Sequence, residues 1–430
     1  MLSKERFVVT SWNEYIALQI DPPSCICGDT TGRAKGEPTL KALRSTSRPW
    51  LKPQSYSRPR RMKLITLAVC IILLIFKCSA QPAGTDNGYA PQAHTIGINY
   101  GTLGDNLPPP SAAIATIKSM QIGRVKIFNP NADILNALAN SGLETVVAIP
   151  NDQIGQIGTN PAAAEAWIAQ NVDTYYPATN IVTILVGNEV FSDASLPWTS
   201  LVPAMQNLYN SLSTRGWSDK IKVSTAVAAD VLASSYPPSV GTFRADIAVP
   251  VILPLLRFLS STHSYFYINL YPFLSYTTSG GDISLNYALF ASGSNSVVDG
   301  SLTYTNLLDA QLDAVISAME KLGFGDVRVA VGETGWPTKA DATQTGASVQ
   351  NAAMYNRRLV RKLLSSSTNG TPKRPNVFIP TFIFALFNEN QKPGPESERN
   401  WGLLYPNLGA VYPIDLTGQM LDTQYAPILP

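Results

Sequence analysis

Cysteine is missing from most of this chain. All four, Cys25, Cys27, Cys70 and Cys78, fall before residue 80 of 430. For the body that follows, this excludes a disulfide scaffold, a thiolate metal site and a cysteine nucleophile together. Histidine is nearly as scarce, with His94 and His263 the only two, so a histidine metal centre or a Ser-His-Asp triad has little to work with. His263 stands at the entry of a strand candidate and reads as structural. Charge is also sparse, 14% of residues against 45% hydrophobic, a balance that argues against wholesale disorder. Positive charge is concentrated at the front: residues 1–61 carry 11 Lys and Arg against 5 Asp and Glu, whereas residues 81–430 carry 19 against 25. The body is therefore mildly acidic, which gives no support to a nucleic-acid partner.

Residues 1–61 mix Pro, Ser and Arg without a sustained apolar period and read as a non-native or disordered extension. Arg60-Arg61-Met62-Lys63 then leads into the apolar run Leu64–Phe76 and a Ser79-Ala80 end. A basic start, a short apolar stretch and a small-residue end describe a secretory signal peptide over residues 62–80, too short to suit a bilayer span. The alternative is a type II membrane anchor with a basic tail. Residues 81–93 form a linker by composition. The carboxyl terminus, Asp422–Pro430, lacks the long apolar tail of a lipid-anchor signal, so a monomeric protein without stable membrane association is expected. Its destination is extracellular, including the cell wall. Asn369-Gly370-Thr371 is the one glycosylation sequon.

From residue 94 onward the text becomes periodic. Apolar strand candidates fall at residues 95–99, 124–128, 144–149, 182–186, 221–226, 265–270, 327–331 and 378–385, with helical stretches such as 111–120, 132–141, 161–171, 198–213 and 350–364 between them. Eight strands alternating with helices predict an α/β fold, a single (β/α)8 TIM barrel over residues 94–430. Two insertions interrupt the rhythm, 275–306 after the sixth strand and 388–409 after the eighth. Both occupy loops at the barrel face where active sites are built, where such segments shape a groove more often than they form a domain.

Two of the strands end alike. Ile181–Val186 runs into Gly187-Asn188-Glu189, and Val329-Ala330-Val331 runs into Gly332-Glu333-Thr334-Gly335-Trp336-Pro337. Two carboxylates at the C-terminal tips of buried strands are what a retaining glycosidase needs, one to protonate the leaving oxygen and one to attack the sugar. Spacing alone does not say which is which. Tyr271 and Trp336, each beside a proline at a strand end, are either sugar-stacking rings or core.

In order and spacing, several motifs match a family. Ile96-Gly97-Ile98-Asn99-Tyr100-Gly101 with Asn106-Leu107-Pro108-Pro109, Val186-Gly187-Asn188-Glu189, Asn269-Leu270-Tyr271-Pro272, Gly332–Pro337 and Phe387-Asn388-Glu389-Asn390-Gln391-Lys392 running to Glu398-Arg399 resemble the plant glycoside hydrolases of family 17, the endo-β-1,3-glucanases and their relatives. The resemblance spans residues 95–429. It implies that Glu189 is the acid/base, Glu333 the nucleophile, and Asn188 a contact to the hydroxyl beside the anomeric carbon, unless that amide merely caps a turn. It further places Glu389, Lys392 and Glu398 in the substrate cleft, with a lysine helping to keep Glu333 ionised. Surface solvation is the alternative for Glu398. One departure is Phe128-Asn129, where relatives often carry tyrosine and a different partner.

The function expected is thus a retaining endo-hydrolase of (1→3)-β-D-glucan, callose-type wall polymer included, that uses no metal or cofactor, with plant defence or wall remodelling as its setting. Rivals are a catalytically silent glucan-binding wall protein, a β-1,3-glucanosyltransferase and a 1,3;1,4-β-glucanase.

Overall fold

Short β-branched runs alternating with helices close into a barrel in the computed structural model. The structure describes residues 95–293, 295–366 and 369–428; the extension 1–61, the signal peptide 62–80 and the linker 81–93 lie outside the described residues. The barrel strands, numbered in chain order, are β1 (Gly97–Tyr100), β2 (Arg124–Ile127), β3 (Glu144–Ile149), β4 (Ile181–Asn188), β5 (Lys222–Ala228), β6 (Phe266–Asn269), β7 (Val329–Thr334) and β8 (Thr381–Ile383). All pair in parallel with their sequence neighbours, and β1 closes on β8 through Gly97 opposite Phe382 and Ile98 opposite Ile383. The eight expected strands are those observed, with ends displaced by at most a few residues.

Side-chain alternation sorts the strands' residues into two cores. Inside the barrel sits a small cluster that includes Val146, Leu185, Ala226, Tyr267, Ala330 and Phe382. Outside, between strands and helices, lies a far larger apolar layer. Phe382 fills the barrel interior against Gly97, where a Cβ would collide with its ring. That requirement explains a glycine in the middle of a strand.

Both strands that carry the candidate carboxylates are irregular at their tips. The β4–β5 ladder shifts register between Leu185 and Asn188, and the β7–β6 ladder shifts between Val331 and Glu333. Such irregularities re-aim the side chains that follow. Beyond the β4 shift the backbone turns sharply, with Gly187 at φ 74° and Glu189 itself left-handed at φ 54°, ψ 38°.

The helices expected at 111–120, 132–141, 161–171, 198–213 and 350–364 appear as Pro110–Ser119, Ala132–Leu138, Pro161–Ile168, Leu201–Thr214 and Val349–Leu364. Asn131, Asn160 and Ser348 cap three of them with side-chain oxygens on backbone N–H groups, as short polar residues at N-caps do. The insertion after β6 holds a helix at Pro272–Thr278, another at Leu285–Ala288 and a hairpin of Val297–Asp299 with Leu302–Tyr304. The segment Ala245–Thr262 is long and apolar enough to cross a membrane by composition, but Leu255, Leu256 and Leu259 are buried in the outer core. His263 closes that helix in a left-handed C-cap at φ 50°, a structural position as expected.

Candidate active site

The strand tips converge on Glu333. Its side chain is almost wholly buried and both oxygens accept hydrogen bonds, Oε1 from Lys126 Nζ at 2.7 Å and Oε2 from the Tyr271 hydroxyl at 2.7 Å. Lys126 rises from the middle of β2, has no exposed side-chain surface, and lies 4.7 Å from the Phe128 ring centroid. A charge so deep is tolerated only when paired and hydrogen-bonded. Burial and the neighbouring Glu333 charge push the Tyr271 phenol well above its ordinary range, so the hydroxyl remains a donor.

Lys126 also extends the network toward β4. Its ammonium donates to Asn188 Oδ1 at 3.3 Å, and the same oxygen receives Asn269 Nδ2 at 3.4 Å. Asn269 donates in turn to Glu189 Oε1 at 2.9 Å. A continuous polar path therefore runs Glu333–Lys126–Asn188–Asn269–Glu189 across strands β7, β2, β4 and β6. The Asn188 amide oxygen is occupied by two donors and does not cap a turn. That task falls to Asn151, whose side chain bonds both the N–H and the C=O of Asn188 at 2.8 and 2.9 Å.

Glu189 and Glu333 occupy unlike surroundings. Burial first, then the nearby Glu333 charge, push the Glu189 carboxyl up to about 7, against the partial opposition of Asn269 and Lys126. Near neutral pH one carboxyl can hold a proton while the other is held by an ammonium. Carboxyls set apart by environment are how one site supplies an acid and an anion at once. Among the described residues no group of three or more His, Cys, Asp or Glu is arranged to hold a metal ion.

Glu389, Lys392 and Glu398 lie in the loop that follows β8. Lys392 Nζ pairs with Glu398 Oε2 at 3.2 Å and lies 4.2 Å from the Phe384 ring centroid. Glu389 is buried, accepts the Leu103 N–H at 2.7 Å, and is raised by burial against that bond and the Lys392 charge. The lysine on Glu333 is Lys126 and not Lys392, which corrects the expectation drawn from the Glu389–Glu398 segment. Sequence reading passed over Lys126 because it stands inside a four-residue strand, Arg124-Val125-Lys126-Ile127. The available signal was that two cations alternate in a segment buried throughout; Arg124 is matched by Glu144 directly opposite on β3, and Lys126 needs an equivalent partner.

Trp336 is also corrected. Its side chain is 0% exposed, packs against Phe273, Tyr276 and Tyr355, and donates from Nε1 to Gly346 O at 2.9 Å. A ring enclosed on all sides cannot lie against a sugar. Tyr271 remains half-buried beside Phe384 and Trp401, so its ring edges the site while its hydroxyl serves Glu333. Phe128, the departure noted in the sequence, stands at the tip of β2 on the Lys126 ammonium and against Phe384.

With this geometry in hand, comparison with known proteins is direct. The sequence profile described as Glycosyl hydrolases family 17 matches residues 96–416. A probable glucan endo-1,3-beta-glucosidase A6 of Arabidopsis thaliana is 45% identical over 339 residues, 78% of this chain and 70% of the relative. Glucan endo-1,3-beta-glucosidase 11 of the same plant is 43% identical over 317 residues, 73% of this chain and 74% of the relative. Among solved structures, CJP38, a beta-1,3-glucanase and allergen of Cryptomeria japonica pollen, superposes with a TM-score of 0.72 at 41% identity, over 75% of this chain and 99% of that one.

Proposed function

Since the chain belongs to glycosyl hydrolases family 17, we propose that its site cleaves (1→3)-β-D-glucan by double displacement, with Glu333 as nucleophile and Glu189 as acid/base. The chain is a glycosidase, and endo-hydrolysis of 1,3-β-glucan is the activity its relatives are named for. The observation that carries the assignment of roles is the asymmetry of the two carboxyls: Glu333 accepts from an ammonium and a phenol, whereas Glu189 accepts from one neutral amide and is raised to about 7.

In the first step a Glu333 oxygen bonds to the anomeric carbon as the bond to the leaving oxygen breaks, and the Glu189 proton passes to that oxygen. In the second, Glu189 as carboxylate takes a proton from water while the water oxygen displaces Glu333, which regenerates both groups. Lys126 and Tyr271 hold the nucleophile in position and disperse its charge before attack. Asn188, with its oxygen committed to Lys126 and Asn269, keeps its amide N–H donors for the hydroxyl next to the anomeric carbon.

Secretion is part of the same proposal and rests on the basic, apolar and small-residue pattern of residues 62–80. The test of function is incubation of the purified protein with linear β-1,3-glucan, with products sized over time and their anomeric configuration followed by NMR. Internal cleavage to progressively shorter β-configured products is expected. Products longer than the substrate would move the reading to a glucanosyltransferase, binding without cleavage would move it to a silent wall protein, and α-configured products would remove the double displacement.

A further inference from the structure

The loops that follow β1 and β8 are fastened to one another beside the site. The Leu103 N–H donates to Glu389 Oε1 at 2.7 Å, and the Leu103 carbonyl accepts the Gln391 N–H at 3.0 Å. Both oxygens of Asp105 take side-chain amide donors, Asn390 Nδ2 and Gln391 Nε2, each at 2.8 Å, and the Asp105 N–H returns a bond to Asn390 Oδ1 at 3.2 Å. Beneath this clasp Gly101 lies against the Glu389 carboxyl, where a Cβ would collide with both oxygens. Lys392 of the same loop lies 4.2 Å from the Phe384 ring centroid, and Phe384 packs edge-on against Tyr271, whose hydroxyl bonds Glu333, so the clasp adjoins the surroundings of the nucleophile.

The clasp has an unusual product. Leu103 is pinned through both of its backbone polar groups, yet the residue is 52% exposed. Apolar surface held at a fixed place offers a contact to a ligand, because covering it from water is favourable. Direction follows from the barrel. Neighbouring strands β8 and β1 lie across the mouth from β4 and β5. If Glu189 at the tip of β4 protonates the leaving oxygen, as proposed above and required here, the reducing-side half of the glucan leaves past β4. The non-reducing half then runs toward β8 and β1.

We propose that this clasp is the wall of the subsites that hold the non-reducing side of the glucan, with Leu103 as the apolar contact for a glucosyl ring and Asp105 as the residue that positions it. A β-glucosyl ring carries its hydroxyls around its equator and presents C–H groups on its faces, a surface that an aliphatic side chain complements. Rigid placement matters because a loop ordered before binding loses less freedom when the chain arrives.

The experiment measures bond-cleavage frequencies and kcat/KM on reducing-end-labelled linear β-1,3-gluco-oligosaccharides of increasing length for wild type, Leu103→Ser, Asp105→Ala and Asp105→Asn, with Tm recorded for each. Expected for Leu103→Ser is a fall of about 10-fold in kcat/KM on the longer oligosaccharides, carried mainly by KM, a smaller fall on the shortest, and cleavage shifted away from bonds with a long non-reducing part. Asp105→Ala reproduces the shift, and Asp105→Asn, which keeps one acceptor oxygen, recovers part of it. Unchanged cleavage frequencies in both Leu103→Ser and Asp105→Ala, or a loss equal at every length, would overturn the proposal. Should wild type bind these oligosaccharides without cleaving them, the hydrolase reading fails by itself, and the clasp then stands only if Leu103→Ser weakens their binding.

Discussion

Glu189 and Glu333 should fail differently when altered, because one gives a proton and the other forms a bond. Glu333→Ala removes the carboxylate that Lys126 and Tyr271 hold, so the glycosyl-enzyme cannot form; activity is expected to vanish, with partial recovery from small external anions such as azide. Glu189→Ala leaves the nucleophile in place and removes the acid. A substrate with an acidic phenol leaving group should then lose far less rate than glucan, by a margin of about 10²- to 10⁴-fold, the usual worth of general acid catalysis. Steady-state kcat/KM for both variants on both substrates checks the pair, and equal losses for Glu189→Ala on both substrates would reverse the assignment. The same residue sets the pH profile. A carboxyl raised to about 7 is protonated below that value, so kcat/KM on glucan should decline above about pH 7. It also bears on stability. The folded carboxyl binds its proton more tightly than the unfolded one at its ordinary 4.5, so the contribution of Glu189 to stability is fully present below about pH 4.5 and is lost as pH rises through about 7. Glu189→Gln, which keeps the oxygen that accepts from Asn269, should therefore be more stable than wild type at pH 7.5 by on the order of 2 kcal/mol, discounted for its partial contact with the groove, and no more stable at pH 4. Denaturant midpoints at the two pH values test the sign.

At the scale of elements, what separates the helix Leu307–Lys321 from its neighbours is burial on every side: residues Leu307–Met319 are all buried. The segment of the short hairpin Leu232–Ser234/Thr242–Phe243 packs on it, close enough at Gly241 that a Cβ would strike the Ala314 carbonyl. Its two buried aspartates are paired there, Asp309 with Lys362 and Asp313 with the Lys373 N–H. Trp336 belongs to this scale as well, since it joins the end of β7 to the helices Pro272–Thr278 and Val349–Leu364 through Phe273, Tyr276 and Tyr355. Trp336→Phe loses the bond to Gly346 O and opens a small cavity, and is expected to cost about 2 kcal/mol in denaturant unfolding while leaving KM for glucan near its wild-type value. A KM rise without loss of stability would return Trp336 to the sugar-contacting set.

For the whole molecule, the proposed signal peptide implies a mature chain that begins at or within a few residues of Gln81. Amino-terminal sequencing of the extracellular protein is expected to show that start, and a membrane-bound form that retains residues 1–61 would favour the anchor instead. The body's excess of acidic over basic residues suits an enzyme whose substrate is uncharged. No electrostatic steering of a neutral glucan is available, so capture has to come from shape, hydrogen bonds and apolar contact along the groove.

Much of this was written locally in the chain. Strand after strand could be read because a barrel strand is buried on both faces and shows as a short continuous apolar run, and Glu189 and Glu333 were visible because each breaks such a run at its end. Residues whose meaning depends on a partner far along the chain were not. Lys126 meets Glu333 across 207 residues and Leu103 meets Glu389 across 286. The neighbourhood of Lys126 in sequence does not say which carboxylate its ammonium will find, and nothing beside Trp336 says that helices from two other segments will enclose it. The order of strands and the placement of the acids follow from periodicity, a property of adjacent residues. Which cation holds the nucleophile, which aromatic is walled in and which loop is fastened to which are decided only when the barrel closes, because closure brings β1 against β8 and points the tips of β2, β4, β6 and β7 at one volume.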